Sequence, residues 1–324
     1  MSVPGGSQVG PGRGRRPVVV VAAVVAVVVV VAVVLTVLLP DTYRGVADLA
    51  DRVATHGDAR RGLVAVDLAA VREDLGVPED VDLFGPLPAD DDDAWRAYFS
   101  SVAVAIPHVP QIAPDDVDPA IEAIDLGAVM AAATTTRFIP GSLTVLRTEQ
   151  PFEEIAAGFT DGDYERAGDT LSYVGDGRIG LHASYSHLAY RDGLLALTSD
   201  PEADVSRVQD AVGQGGKGGE LVELAAEQLE ETAAAYVEAE PGGGPPGCVD
   251  SLVVGDSFTG TAQVTFIGAG VQPALDQRPG IAEAFDVGEP QVDGDRTVVE
   301  LTESQPGTGL LAQWFELTNV WSCE

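Results

Sequence analysis

Apolar and polar positions along this chain follow two periods, after one stretch that has none. From Pro17 to Leu39 every residue is apolar except Thr36, and most are Val or Ala. Val18 to Leu39 is 22 residues, about 33 Å as a helix, against a hydrocarbon core of roughly 30 Å. The expectation is a transmembrane anchor over 17–39. A cleavable signal peptide has a shorter apolar core of about 7–15 residues and a small-x-small cleavage site. Here Leu38, Leu39 and Pro40 precede Asp41.

Helical spacing returns at Val46, Leu49, Ala50 and Val53, which predicts a short exposed helix continuing from the membrane. Leu63–Val66 reads as a strand. Leu68, Val71 and Leu75 space a helix that Gly76 stops. Trp95, Tyr98, Phe99 and Val102 fall at i, i+3, i+4 and i+7, a second amphipathic helix. Asp118-Pro119 opens a third, through Ile121, Ile124 and Val129. Leu143–Leu146 is a strand, and Pro151 opens a helix through Phe152, Ile155 and Phe159. One strand is then expected over about 164–174. Asp192-Gly193 turns a hairpin between His187–Tyr190 and Leu194–Thr198. Asp200-Pro201 starts a helix with Val205, Val208 and Val212 inward. This β-α-β-β-α order is similar to half of a ferredoxin-like sandwich. After GQGGKGG, residues Leu221, Leu224, Ala225, Gln228, Thr232 and Tyr236 line one face of a single long helix. Strands are expected at Val249–Val254, Ala262–Ile267, Thr297–Thr302 and Gln313–Trp321, with a helix near Ile281–Phe285.

The predicted fold class is α+β. A transmembrane helix precedes an exported two-part α+β region with ferredoxin-like β-α-β-β units. The expected division is a flexible cytoplasmic tail over 1–16, the anchor over 17–39 and a juxtamembrane segment over 40–60. An α+β domain over 61–212, a Gly-rich linker over 213–219 and a second α+β domain over 220–324 complete it. The heptads AVDLAAV at 65–71 and AIDLGAV at 123–129 resemble each other. In an Ala/Val/Asp-rich chain that reads as coincidence.

Charge narrows the partners. The chain has 18 basic and 51 acidic residues and a net charge of −33. Residues 1–40 hold three arginines and no acid, so the remainder carries −36. Such a surface is repelled by nucleic acid and anionic lipid, and nucleic-acid binding is excluded. Arg13, Arg15 and Arg16 directly before the apolar run favour that end inside, although Arg44, Arg52, Arg60 and Arg61 come after it. Two cysteines, Cys248 and Cys323, bracket the last quarter of the chain. An even pair of this kind suits a disulfide in an oxidising exterior. The expected address is the cell membrane, single-pass, with the C-terminal region extracytoplasmic.

Candidate chemistry is sparse. Asp90, Asp91, Asp92 and Asp93 are weak candidates for a cation, but adjacent carboxylates in an extended chain point in opposite directions. They also suit the start of the Trp95 helix, facing its positive end. GQGGKGG lacks the Gly-Lys-Ser/Thr of a phosphate loop. His182 and His187, five apart, fall on opposite faces of a strand, which makes them a poor metal pair. No cofactor is expected. Gly255-Asp256-Ser257-Phe258, directly after the strand Ser251–Val254, resembles the first block of the GDS hydrolase family. That resemblance implies Ser257 as a nucleophile, which needs a histidine base. No histidine lies downstream of His187.

The whole layout combines a short basic tail, a Val/Ala anchor, an acidic α+β exterior and a late cysteine pair. With Ile124-Asp125-Leu126, Pro151-Phe152 and terminal Cys323, it resembles a pool of single-pass exported proteins of high-GC Gram-positive bacteria, a resemblance that brings no activity with it. The expectation is a non-enzymatic interaction or binding module at the cell envelope, held in the lipid bilayer through 17–39 and meeting an envelope protein partner. The alternatives are a cation-responsive acidic domain and a hydrolase using a carboxylate pair.

Overall fold

The computed structural model describes residues 45–57, 62–78, 92–106, 123–135, 141–175, 185–241, 248–304, 309–311 and 320–323. The expected anchor at 17–39 and the tail before it lie outside these residues. Among the described residues no helix is long and apolar enough to cross a membrane. Gly45–Glu324 forms one compact unit, and its architecture is α+β.

One large sheet organises that unit. Its strands are β1 (Leu63–Val66), β2 (Val129–Thr135), β3 (Leu143–Thr148), β4 (Tyr164–Ala167), β5 (Thr170–Tyr173), β6 (His187–Arg191) and β7 (Leu194–Thr198). The later strands are β8 (Ala234–Ala239), β9 (Ser251–Asp256), β10 (Thr261–Ile267), β12 (Phe285–Val287), β13 (Gln291–Asp293) and β14 (Arg296–Glu303). Their order is β12-β14-β10-β9-β8-β1-β2-β3-β7-β6-β5-β4, with β13 also on β14. The short strands β11 (Val271–Pro273) and β15 (Trp321–Cys323) pair separately.

Helices cover both faces. On one lie α1 (Val46–His56), α5 (Ser206–Gly213) and α6 (Glu220–Leu229), and on the other α2 (Leu68–Leu75), α3 (Asp92–Ala105) and α4 (Phe152–Asp161). A shorter helix, α7 (Pro279–Ala284), buries Ile281 in the same core as the second group. The stripes read from the sequence explain the layers. Leu49, Ala50 and Val53 of α1 are fully buried, as are Val208 and Ala211 of α5. On the opposite face Tyr98, Val102, Ile155 and Phe159 meet Val66, Ala132, Leu146 and Leu195.

The local signals mark most ends. Asp67 Oδ1 accepts from the Ala70 amide to start α2, and Gly76 closes it at φ 68°. Only glycine takes that left-handed value freely. Asp192 and Gly193, at φ 51° and 80°, make the two-residue turn between β6 and β7, as the primed hairpin turns require.

Several expectations are corrected. The helix expected from Asp118-Pro119 through Val129 is, over its described part, a 3-10 turn at Leu126–Ala128 that leads into β2 at Val129. The single helix expected from Leu221 to Tyr236 ends at Leu229, and Ala234–Ala239 is β8. The strand expected over 164–174 is a hairpin, turned at Gly168 and Asp169. The α1 helix is no exposed stalk, because its apolar face packs on β1, β2 and β3. The ferredoxin-like expectation fails on strand order. The α4 crossover delivers β4 to the far edge of the sheet, and every described pairing is antiparallel. A ferredoxin-like unit is itself antiparallel and sets a single strand between the two that its crossover joins, whereas β7, β6 and β5 stand between β3 and β4.

The sheet runs unbroken across the segment expected as a linker, because β1 pairs with β8, Leu63 opposite Val237 and Val66 opposite Ala234. On either side of this seam the chain repeats one plan. The first half runs α1, β1, β2, β3 and closes with β7 beside β3; the second runs α6, β8, β9, β10 and closes with β14 beside β10. The helices echo each other in sequence, with Leu49-Ala50 and Val53 in α1 against Leu224-Ala225 and Gln228 in α6. The heptads noticed at 65–71 and 123–129 belong to no such repeat. Asp67 opens a helix after a strand, whereas Asp125 opens a 3-10 turn before one.

Candidate functional site

The two halves diverge after their closing strands. Beyond β7 the chain returns as α5 and covers β6 and β7. That covered face is largely apolar: Leu143 and Val145 of β3, Leu194 and Ala196 of β7. Beyond β14 the described residues contain no helix in the corresponding place. The matching face of β10 and β14 carries Gln263, Thr265, Ile267, Arg296 and Val298, and among the described residues it is bordered on one side only, by α6. The uncovered space is a cleft of about 180 Å³ between α6 and β9, β10 and β14.

Its lining falls into three chemistries. Leu224, Val253, Ile267 and Val298 supply apolar surface. Glu227 and Arg296 form a bidentate ion pair at the rim, with nitrogen–oxygen distances of 2.7 and 3.0 Å. The pair holds the Glu227 carboxyl below its ordinary range, chiefly through the hydrogen bond from Arg296. Both side chains remain substantially exposed, so the pair contributes little to stability. Gln228, Gln263 and Thr265 are neutral and polar.

This third group is the unusual one. Gln228 is 6% exposed and Thr265 7%. The Gln228 amide has four hydrogen-bonding positions, and among the described residues it makes one bond, from Nε2 to Thr232 Oγ1, at a long 3.5 Å. Gln263 and Thr265 form no side-chain hydrogen bond among the described residues. Enclosed polar atoms are normally paired, because an unmet one costs its desolvation; the polar atoms of this group are not among the enclosed unpartnered ones and so open on the cleft. Ser251 and Thr297 likewise make no side-chain hydrogen bond among the described residues, whereas other buried hydroxyls of the sheet are paired. Ser142 and Ser199 bond each other at 2.7 Å, Thr198 donates to the Ser142 carbonyl at 2.9 Å, and Ser186 donates to the Asp200 carbonyl at 2.6 Å. Gly255 completes the site from below. A Cβ there would lie 2.1 Å from Gln228 Nε2, so glycine is what lets the amide lie flat on β9.

The residues singled out in the sequence fall elsewhere. Ser257 sits in an exposed turn, its Oγ 2.7 Å from the Thr261 carbonyl and accepting from the amides of Thr259 and Thr261. Asp256, before it, is the buried member of that motif. Its carboxylate accepts from the amides of Phe258 at 2.9 Å and Leu311 at 2.8 Å, and burial pushes its pKa up to about 6. Asp256 therefore fastens 309–311 to the core, with Glu303 holding the Gly309 amide at 2.7 Å. Of the four candidate aspartates, Asp93 is exposed and pairs with Arg96 at 3.3 Å. Asp90 and Asp91 lie outside the described residues, as does the Asp92 side chain. Among the described residues no cluster of three or more His, Cys, Asp or Glu is placed to hold a metal.

GQGGKGG is tied down. Asp51 Oδ1 accepts from the Gly218 amide at 2.7 Å, Thr55 Oγ1 accepts from the Lys217 amide at 3.1 Å, and Arg52 donates to the Gln214 carbonyl. The Gly218 amide that a phosphate loop would turn to its ligand is spent on a carboxylate of α1. Cys248 is disulfide-bonded, and Cys323 is the one other cysteine of the chain.

Sequence reasoning missed the pairing of His187 with Ser172. They are opposite each other on β6 and β5, with Nδ1 and Oγ 2.9 Å apart. Asp204 nearby spends its carboxylate on the Ser206 amide. Among the described residues nothing orients the other ring nitrogen, so the pair lacks the third member that a nucleophile–base unit uses. Gln228 did carry a sequence signal. It is the amide in a helix stripe otherwise made of Leu and Ala.

No protein-family model, curated protein or solved structure matches this chain.

Proposed function

We propose that this protein is a non-enzymatic binding module, anchored in the membrane through 17–39 with its α+β body outside, and that the cleft beside α6 is its ligand site. The observation that carries the reading is that Gln228, Gln263 and Thr265 turn polar side chains with little or no protein partnering onto one small open space. The ligand is small, uncharged and polar. Glu227 and Arg296 neutralise each other, so Glu231 repels an anion, and a cation brings only donors, with nothing to accept from the Gln228 and Gln263 amides.

The test is a ligand-observed NMR screen of small neutral polar compounds against the full chain in detergent, run beside Gln263→Leu. Compounds that bind the wild type and lose at least tenfold in affinity with the variant support the site. A screen in which every hit binds both proteins equally removes the cleft from consideration.

A further inference from the structure

We infer that the group the cleft recognises is a secondary amide carrying a short alkyl arm, an acetamido group, whether on a sugar or on an acylated peptide end. The inference rests on the cleft being the ligand site, and it goes further by naming the chemistry.

The floor presents two primary amides and one hydroxyl. The N–H and carbonyl of a trans secondary amide point in opposite directions, so the group bridges two partners: Gln228 Oε1 accepts the N–H, and Gln263, opposite Gly255 on β10, donates to the carbonyl. Gln228 has its Oε1 and most of its Nε2 capacity open for this. A carbonyl oxygen has two lone pairs, and the second is within the repertoire of the Thr265 hydroxyl. The apolar members, Leu224, Val253, Ile267 and Val298, line the same space and suit a methyl group, which gains by leaving water.

Competing chemistries fit less well. A ligand held through hydroxyls alone usually adds an aromatic platform for its apolar ring face, and the lining contains no aromatic residue. A carboxylate finds Arg296 already paired and Glu231 beside it, and an ammonium group, although Glu231 attracts it, brings no acceptor for the amide N–H groups of Gln228 and Gln263. Burial also gives the amide its selectivity. A site that has removed hydrogen-bonding groups from water rejects analogues that cannot satisfy them far more strongly than an apolar pocket rejects a missing methyl.

Saturation-transfer NMR on the full chain in detergent tests this with four probes: N-acetylglucosamine, N-acetylglycine amide, glucose and acetate. Transfer concentrated on the acetyl methyl of either acetamido probe, with glucose and acetate at least tenfold weaker, is the expected result. Which of the two acetamido probes responds tells whether the group is presented by a sugar or by a peptide. Thr265→Val removes one hydroxyl at constant shape, and Gln228→Leu removes the amide at similar volume. Each is expected to cut transfer at least tenfold while the thermal unfolding midpoint holds or rises. Glucose transferring as strongly as N-acetylglucosamine overturns the amide inference and leaves the cleft a binding site. Silence from both acetamido probes, with other neutral compounds still sensitive to Gln263→Leu, does the same. Acetamido transfer that survives both variants overturns inference and site together.

Discussion

Gln228 sits where a valine would serve stability better. Its counterpart in the first half is Val53, fully buried on the same face of the sheet. An amide at that depth with one long hydrogen bond costs desolvation that an aliphatic side chain does not. Gln228→Leu is therefore expected to raise stability by roughly 1 kcal/mol, read as a higher midpoint in thermal or urea unfolding. A lower midpoint would mean that the amide contributes to packing on Gly255 more than the cleft demands of it. Asp256 is a buried carboxyl that fastens structure through the amides of Phe258 and Leu311 but whose charge costs stability. Burial raises its folded pKa to about 6, above an unfolded value near 3.9. Its contribution is therefore fully present below the unfolded pKa and lost as pH rises through about 6, on the order of 3 kcal/mol in all. Because the acidic surface adds its own pH dependence, the measurement is the difference between wild type and Asp256→Asn across pH 4–7. A flat difference would show that Asp256 titrates alike folded and unfolded. The sequence pointed at Ser257 in this motif. The role of Asp256 depends on the amide of Leu311, 55 positions away, and a window of four residues holds no trace of that.

At the scale of elements, reading by period worked where side chains differ in kind and failed where they do not. The β6–β7 hairpin, β1, α2 and α4 were legible because turn residues, caps and apolar spacing agreed. The strands flanking β1 were not. In β2, Ala131, Ala132 and Ala133 are all fully buried, and β8 opens with Ala234 and Ala235, equally buried. Alanine is the best helix former in isolation, and a run of it carries no period of two. In the middle of a sheet covered on both faces, small residues let α1 on one side and α2 and α3 on the other come close. Packing decides against propensity there. Ala132→Leu is accordingly expected to cost about 1–3 kcal/mol by overpacking, measured by urea unfolding, although leucine has ample helix propensity and hydrophobicity. The layer of α1, α5 and α6 depends on a second long-range device. Arg52, whose side chain is 12% exposed, bonds Asp48 at 2.8 Å and donates to the Ala211 carbonyl at 3.0 Å, at the end of α5. Arg52→Ala should destabilise by about 1–3 kcal/mol and raise amide exchange in α5 and 213–219 first. Uniform exchange across the sheet would place the tie elsewhere.

For the whole molecule, the sequence indicated an α+β body and a strongly acidic one, but not how its halves join. Composition marked 213–219 as a place to divide the chain. Strand pairing across β1 and β8 lies between residues more than 160 positions apart, and no local pattern reports it. The cleft shares that fate, because its emptiness is visible only beside the half that α5 fills. A cross-link from Cys248 to Cys323 would close a loop of about 75 residues, worth roughly 4.5 kcal/mol if chain entropy dominates. Cys323→Ser is expected to lower stability by up to that amount and to make the protein indifferent to reductant. An unchanged midpoint would show that the pair constrains little in the unfolded chain.

The seam between β1 and β8 also bears on how the protein is made. A ribosome releases Leu63–Val66 long before Ala234–Ala239 exists to meet it. In that interval β1 has β2 on one side and nothing on the other, an apolar edge of the kind that recruits other chains. The seam is antiparallel, so a second nascent copy offers its own β1 in the same orientation that β8 will later take. A fragment ending after α5 should therefore dimerise edge to edge, and gel filtration would show it. The intact chain has its own second half as the intended partner for that edge.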